Sequence, residues 1–394
     1  MSPAGAAAAD AAAAQAAAVQ AALDAHVAGQ LDEAERRYLA LIASGVHRSS
    51  VYNNLGLLRE SQGRTAGGAG ERTADAALPL FTLAQRLNGA DLNPLVNLVN
   101  RHIQARRYAT AFEVLQDLAR RDATGQTHAV VQQRLLEAYL ASDDFSYRSA
   151  ARDRVLLITA NIHPGGTPYV ALSNPTERLR EHLLGLCAWL LDKSFTHVVI
   201  AENSDFEIDT AALQAFARPL HKQVEYLTFQ GSPLASQLGK GHGEGEIVAH
   251  ALAHSRLLAA HAHFTKVTGK LYLPFFDFLV RDGLDGGECF VPTVIGDRLA
   301  IDTRLYSVAK ARYLAELLHA HERVNDPRGL FLEHAFHDAL QARGYACPLA
   351  APAMLGRSGS LNRSYGDFPP SVHRLYARLI EAVPMGTAAP AGVA

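Results

Sequence analysis

Residues 239–246 read Gly239-Lys240-Gly241-His242-Gly243-Glu244-Gly245-Glu246 and alternate glycine with Lys, His or Glu. Glycine lets the backbone adopt positive φ or approach a ligand closely, and the intervening side chains can present charge. Apolar residues recur at helical spacing from Ile247 onward, so the pattern predicts a glycine-rich loop leading into a helix N-terminus. Such a terminus favours an anion. We therefore predict a ligand-binding loop here; a surface turn before an ordinary helix is the alternative.

The segments around this loop alternate between strands and helices. Apolar runs at 155–160, 197–201 and 224–229 predict buried strands, and the segments that open at Asn174 and Asp209 predict helices. The glycine loop itself lacks the Gly-Lys-Ser/Thr ending of a nucleoside-triphosphate loop and the third glycine of the dinucleotide fingerprint. The alternating order predicts a doubly wound α/β sheet.

Polar residues follow the predicted strands, where ligands bind in sheets of this kind. Asn161 opens a polar loop over 161–166, and Glu202 and Asn203 follow a Val-Val-Ile strand. A carboxylate at that position can accept hydrogen bonds from a ribose or a base. A plain turn is the alternative for Glu202 and Asn203.

The N-terminal third contains a helical repeat. Its small residues Ala34, Ala77 and Ala111 stand 43 and 34 positions apart, and the surplus of nine falls at 65–75, which predicts a loop insertion. Large or small apolar residues follow each alanine at the same two offsets: Tyr38 and Leu41, Phe81 and Ala84, Leu115 and Leu118. The preceding helices carry matching residues at Tyr52, Leu55, Gly56, Leu95 and Leu98.

This pattern resembles the tetratricopeptide family over roughly residues 16–148, and Gly56 occupies the position that needs a small residue for close helix packing. Stacked helix pairs of this family form curved arrays that bind extended peptides or partner domains. We predict capture of a partner or acceptor; a packing module that forms a homo-oligomer is the alternative.

Composition excludes several classes of function. The 394 residues include 37 Lys and Arg against 39 Asp and Glu, so there is no basic excess and no nucleic-acid partner is expected. The three cysteines are widely spaced, which predicts neither a disulfide framework nor a cysteine-ligated zinc site, and fits a reducing compartment. No apolar run is long enough to span a membrane, so we expect a cytoplasmic protein.

These observations predict four segments. Residues 1–15 form an Ala-rich tail, residues 16–150 the tetratricopeptide-like repeats, residues 151–380 the α/β domain and residues 381–394 a disordered tail.

Several motifs of the α/β domain resemble a group of bacterial glycosyltransferases with a GT-A-like sheet, found among surface-polysaccharide and protein-glycosylation enzymes. The specific part is the glycine stretch together with Phe264-x-Lys266-x-Thr268-Gly269-Lys270-Leu271-Tyr272; Glu202-Asn203-Ser204 precedes it. Weaker matches follow at 302–306, 331–334 and 356–359. The resemblance covers about residues 153–365.

The resemblance implies transfer of a sugar from a nucleotide-sugar donor. Glu202 and Asn203 would hold the nucleoside, and Glu244 and Glu246 would meet sugar hydroxyls. The full implied donor-binding set is Asn161, Glu202, Asn203, Gly239, Lys240, Gly241, Gly243, Glu244, Gly245, Glu246, Lys266, Gly269, Lys270 and Arg304.

The resemblance implies that three of the basic residues in this set bind phosphate. Lys266 and Lys270 would act as compact positive charges on the leaving phosphates. Solvated lysines at the ends of a strand are the alternative. Arg304 would bind phosphate in a fork, or form a structural ion pair.

The chain departs from the group at the metal site and leaves two candidates for a general base. It contains no Asp-x-Asp motif; Asp277 and Asp302 are the nearest single acids. We expect a metal-independent site, with Mn or Mg as the alternative.

Glu333 is the first candidate for the catalytic base and Asp302 the second. An exposed helix residue is the alternative for Glu333.

Three functions follow as hypotheses. The first is a glycosyltransferase whose repeats recruit a bacterial protein acceptor, for example flagellin. The second is a surface-polysaccharide or lipopolysaccharide glycosyltransferase that the repeats dock to an assembly machine. The third is a non-catalytic repeat scaffold with a degenerate transferase domain, which the missing Asp-x-Asp favours.

Overall fold

A computed structural model describes residues 3–65, 76–142, 153–167, 169–276, 288–348 and 351–386. The chain divides into two compact units, residues 1–139 and residues 140–394. None of the helices within these ranges is long and apolar enough to cross a membrane. The predicted insertion at 65–75, Asp277 and residues 387–394 of the predicted C-terminal tail lie wholly or almost wholly outside the described residues.

The first unit is built from consecutive helices that pack in pairs. The helices are α1 (Pro3–Val27), α2 (Leu31–Ala43), α3 (Ser49–Thr65), α4 (Leu78–Leu87), α5 (Asn93–Gln104), α6 (Tyr108–Arg121) and α7 (Gln126–Ala141). The Ala-rich segment that we predicted as a tail over residues 1–15 lies in α1 from Pro3 onward.

Burial follows the repeat that the sequence predicts. Ala34, Ala77 and Ala111 are fully buried, and so are the residues four positions after them, Tyr38, Phe81 and Leu115. A Cβ atom at Gly56 would lie 2.5 Å from the Phe81 ring, so this glycine permits the close approach of α3 and α4. The helical part of the predicted fold class is therefore confirmed.

The second unit is an α/β domain. Its elements are β1 (Val155–Ala160), α8 (Pro175–Leu191), β2 (His197–Glu202), α9 (Thr210–Ala217), β3 (Gln223–Thr228), α10 (Leu234–Leu238), α11 (Lys240–His254), α12 (Arg256–Ala260), β4 (His263–Thr268), β5 (Leu271–Tyr272), β6 (Cys289–Ile295), β7 (Arg298–Ala309), α13 (Lys310–Arg312), α14 (Leu332–Leu340), β8 (Leu355–Arg357), β9 (Ser364–Gly366) and α15 (Pro370–Ala382).

The main sheet of the described residues has the strand order β3-β2-β1-β4-β7-β6. Strands β1 to β4 are parallel, and β7 pairs antiparallel with both β4 and β6. The carboxyl ends of β1 to β4 therefore lie along one edge, which we call the carboxyl edge, and their first residues lie along the opposite amino edge. The α/β prediction is confirmed, with an antiparallel pair added to the parallel strands.

The glycine-rich stretch differs from the predicted loop. Helix α11 begins at Lys240, so Gly241, Gly243 and Gly245 lie in its first two turns, and of the four glycines only Gly239 has positive φ, at 116°. The glycines make room for neighbouring protein. A Cβ at Gly245 would lie 2.1 Å from His321 Cβ, and one at Gly241 would lie 2.9 Å from Leu332 Cβ. Close packing of the helix explains the alternation.

Chain geometry just after β4 is fixed by a buried tryptophan. The indole N–H of Trp189 donates to the carbonyl of Leu271 at 2.8 Å, and its ring contacts Tyr272 edge to face, with the ring centroids 4.8 Å apart. A Cβ at Gly269 would lie 2.5 Å from His182 Nδ1. These contacts hold Lys270, between them, at the carboxyl edge.

Candidate functional site

A fully buried lysine of β4 lies near the carboxyl edge. Lys266 on β4 contacts the carboxylate of Glu244 from α11, and its Nζ donates to the Thr303 carbonyl at 2.7 Å and to Thr268 Oγ1 at 3.2 Å. Burial lowers the pKa of the Lys266 ammonium, and the carboxylates of Glu333 and Asp302 oppose that effect. The predicted residues Lys266 and Glu244 thus meet as an ion pair between β4 and α11.

Glu333 lies beside this ion pair on the first turn of α14. Its Oε1 accepts a hydrogen bond of 3.2 Å from the Thr303 hydroxyl, and its neighbours Leu332 and Phe336 are buried. The Glu333 side chain itself is only partly buried. A partly solvated carboxylate next to buried cations can accept a proton from a bound hydroxyl group.

Asp302 and Arg304 pair with each other on β7. Arg304 Nε donates to Asp302 Oδ1 at 2.8 Å, and Arg304 Nη2 contacts Oδ2, so both carboxylate oxygens are engaged. Arg304 Nη1 also donates to the Tyr365 hydroxyl at 2.6 Å. Of the two roles weighed for Arg304, this geometry matches the structural ion pair. Asp302 is less available as a base than Glu333.

The Glu202 carboxylate is saturated by its own loops. It accepts hydrogen bonds from the amides of Ile162 at 2.9 Å, Ser204 at 2.9 Å and Phe206 at 3.0 Å, and from the hydroxyls of Ser204 and Thr228. With 1% of its surface exposed, it has no room for a ligand hydroxyl. Its role in this structure is to hold the loops after β1 and β2.

Asn161 and Asn203 join the same two loops. Asn161 Nδ2 donates to Asn203 Oδ1 at 2.7 Å, and the Asn161 carbonyl accepts from Arg178 Nε at 2.7 Å. Arg178 is buried, and this burial lowers its pKa to about 10 while the charge of Glu202 opposes the shift. No sequence signal pointed to Arg178, which lies inside the amphipathic pattern of α8.

Lys270 is the least compensated charge at this edge. It is 4% exposed, and no described residue forms a hydrogen bond or an ion pair with its Nζ. Burial lowers its pKa well below the usual value; the charges of Arg178, Lys240 and Lys266 act in the same direction, and the charge of Glu181 opposes them. Burial of His182 and the charges of Lys270 and Arg178 lower the pKa of its imidazole, and backbone groups of Asn161 and Gly269 oppose the shift, although neither ring nitrogen has a hydrogen-bond partner of good geometry.

A C-terminal segment, 356–360, packs against these cations. A Cβ at Gly356 would lie 2.0 Å from the Lys270 carbonyl oxygen, and one at Gly359 would lie 3.1 Å from Lys270 Nζ. Lys240 donates to the Ser360 hydroxyl. The motif that the sequence placed at 356–359 therefore closes the site over Lys240 and Lys270.

Glu246 faces the loop that precedes α10. Its carboxylate accepts a hydrogen bond of 3.3 Å from the Ser232 amide and lies 3.4 Å from His242 Nε2. Gly243 packs on Ala235, and its added Cβ would lie 3.1 Å from Ala235 Cβ. These two residues thus join α11 to the segment after β3.

Asp326, which sequence reasoning missed, lies against the amino end of α11. A Cβ at Gly239 would lie 2.3 Å from the Asp326 Cγ, which explains the glycine at this position. Both Asp326 oxygens are buried without a hydrogen-bond partner of good geometry. Burial raises the pKa of Asp326 to about 6; Glu333 acts in the same direction, and Lys240 and the amides of α11 oppose it.

The acids of this edge do not assemble a metal site within the described ranges. Those ranges contain one group of three His, Cys, Asp or Glu side chains with metal-binding spacing. That group lies at the amino edge of the sheet. Asp277, one of the two acids nearest the missing Asp-x-Asp, is outside them.

The fold and the edge together define an α/β domain with a buried cationic site, preceded by a helical repeat array. No protein-family model matches the sequence, and no curated protein is significantly similar. Among solved structures, the chain matches a mutant of the O-GlcNAc transferase of Thermobaculum terrenum at 14% identity, over 54% of this chain and 41% of that chain, with a TM-score of 0.26. The chain thus spans less than half of that protein, and so weak a likeness carries no conclusion about activity.

We predict that Asp326→Asn stabilises the protein above pH 6. Because the folded-state pKa is raised from 3.8 to about 6, the native state binds the proton more tightly than the unfolded state, and stability falls as pH rises through this window. The asparagine removes that loss, which is roughly 2–3 kcal/mol at neutral pH. Urea unfolding between pH 4.5 and 7.5 measures it. Exposed Asp367→Asn is the control, and a difference between Asp326→Asn and wild type that does not change with pH contradicts the prediction.

Proposed function

We propose that the chain is a glycosyltransferase that moves a sugar from a nucleotide-sugar donor to an acceptor recruited by the helical repeats, such as a bacterial protein. The observation that carries the proposal is Lys270, a buried lysine beside Arg178 and Lys240 whose Nζ forms no hydrogen bond or ion pair with any described residue. A buried ammonium without a counter-charge is unfavourable, which is why burial lowers the pKa of Lys270, and an anionic ligand would favour its charged form. A diphosphate supplies that charge, and the proposal places it at the carboxyl edge, where α/β sheets bind ligands.

The other residues take roles that match their contacts. Lys266 is already paired with Glu244, so it supports the site electrostatically, while Lys270 and Lys240 meet the phosphates. Glu333 takes the proton from the acceptor hydroxyl, because it is partly solvated and adjacent to the cations. The motif resemblance at Phe264–Tyr272 supports the same reaction.

Donor binding tests the site. Lys270→Met should weaken binding of nucleoside diphosphates and nucleotide sugars by about 10–100-fold, because it removes charge-assisted hydrogen bonds. Exposed Lys193→Met should leave binding unchanged. A panel of nucleotide sugars, measured by calorimetry with and without Mn²⁺, reads out affinity and metal dependence together. Equal affinities for both variants and wild type would remove Lys270 from the donor site, and no affinity for any nucleotide sugar would favour the non-catalytic scaffold.

Turnover tests the base. Glu333→Gln should retain donor affinity and lower the rate of sugar transfer by about 10²–10⁴-fold, because glutamine cannot accept the proton. Glu333→Asp, which keeps the carboxylate, should recover part of the rate. Full activity of Glu333→Gln at all pH values would exclude this role.

Removal of residues 1–139 tests the acceptor. The remaining unit should bind donor with unchanged affinity, which reports that it is folded, and should lose transfer of labelled sugar to a purified protein acceptor such as flagellin. Retained transfer to that protein would contradict recruitment by the repeats. Label found only on lipid-linked or free glycan would instead support the polysaccharide-transferase alternative.

A further inference from the structure

Three potential metal ligands meet at the amino edge of the sheet. Asp153 lies just before β1, His197 is the first residue of β2, and His261 lies just before β4. Because these three strands are parallel neighbours, their starting segments come together. The Asp153 Oδ1 atom is 3.2 Å from His197 Nδ1 and 3.2 Å from His261 Nε2, and all three ligand atoms lie within 4.8 Å of one another.

The backbone fixes the orientation of His261. Its Nδ1 lies 2.7 Å from the carbonyl oxygen of Leu257, which can only accept, so Nδ1 carries the proton and donates it. In neutral His261 the lone pair of Nε2 then faces the Asp153 carboxylate. A lone pair and a carboxylate oxygen repel each other unless a cation lies between them, either a proton on Nε2 or a metal ion.

The His197 ring approaches the same carboxylate from the start of β2. Its Nδ1 faces Asp153 and also lies 2.9 Å from Thr196 Oγ1. The ring centroids of His197 and His261 are 4.8 Å apart. Imidazole nitrogens and a carboxylate oxygen are ordinary ligands of zinc.

Two of the three spacings between the ligand atoms match a small tetrahedral ion. Zinc–nitrogen and zinc–oxygen bonds of about 2.0–2.2 Å place neighbouring ligand atoms about 3.4 Å apart in a tetrahedron. The two spacings to Asp153 are close to that value. Asp153 has 81% of its side chain exposed, so small adjustments cost little and a water can complete the coordination.

We propose that Asp153, His197 and His261 bind a divalent transition-metal ion, with zinc as the preferred occupant, at the amino edge of the sheet. Two imidazoles and one carboxylate select zinc and similar ions over Mg²⁺ and Ca²⁺, which prefer oxygen ligands. The site lies at the other end of the parallel strands from the donor site, about 20 Å away. Its ion ties the segment before β1 to the starts of β2 and β4.

Zinc binding to the untagged full-length chain tests the proposal. The chelator-treated protein should bind one Zn²⁺ in calorimetry, and saturating Zn²⁺ should raise its thermal midpoint by mass action while equal Mg²⁺ does not. Both His261→Ala and Asp153→Asn should weaken that binding, the histidine variant by more than about 100-fold. The exposed Asp153 makes its variant a test that leaves the core intact.

Two variants control for adventitious binding. His319 and Glu322 form an exposed histidine–carboxylate pair at 2.7 Å with no third ligand at metal-binding spacing among the described residues, so His319→Ala should leave zinc affinity unchanged. Cys347 is an exposed free thiol, and Cys347→Ser should likewise have no effect. The proposal is overturned if the chain binds no zinc, or if the His261 and Asp153 variants bind it as tightly as wild type does. Loss of donor affinity in the Lys270 variant is independent of either result.

Discussion

The structure of the carboxyl edge depends on the burial of one charge, the ammonium of Lys266 in the middle of the sheet. A buried lysine must be paired, and breaking such a pair leaves an uncompensated charge that costs about 3–5 kcal/mol. Lys266 meets this requirement with Glu244 from α11 and the carbonyl of Thr303 from β7. Helix α11 and the antiparallel strand β7 are thereby fixed to β4, and Glu333 on α14 is fixed through Thr303.

Close packing of α11 is the second constraint that follows. To bring Glu244 to Lys266, the first turns of this helix press against His321, Leu332 and Asp326, at distances that only glycine allows. Glycine inside a helix destabilises it by about 1 kcal/mol relative to alanine, so the packing contacts and the ion pair must offset that loss. The glycines of α11 are therefore required by contacts with residues that lie far along the chain.

The sequence predicted the local features of this fold and missed those that depend on distant partners. Strand β1 and the starts of β2 and α8 were predicted to within a residue or two, because apolar runs and the Asn-Pro helix start are local signals. The phase of the helical repeat was predicted for the same reason. The prediction of a loop at the glycine stretch was wrong. No local pattern distinguishes a glycine that makes room for a ligand from one that makes room for a neighbouring residue such as His321. Asp326 and Arg178 carried no signal, since their importance comes from burial beside charges on other elements.

The number of internal hydrogen bonds also distinguishes side chains that hold the site together from side chains that are available to bind a ligand. Glu202 has five hydrogen bonds, and Asp302 is engaged through both oxygens, so a ligand could reach either carboxylate only by breaking internal contacts. Lys270 requires no such exchange, because its Nζ has no described partner to give up. On the proposed function, the affinity for a donor therefore comes mainly from neutralising buried positive charge, and the carboxylates act by keeping that charge in place.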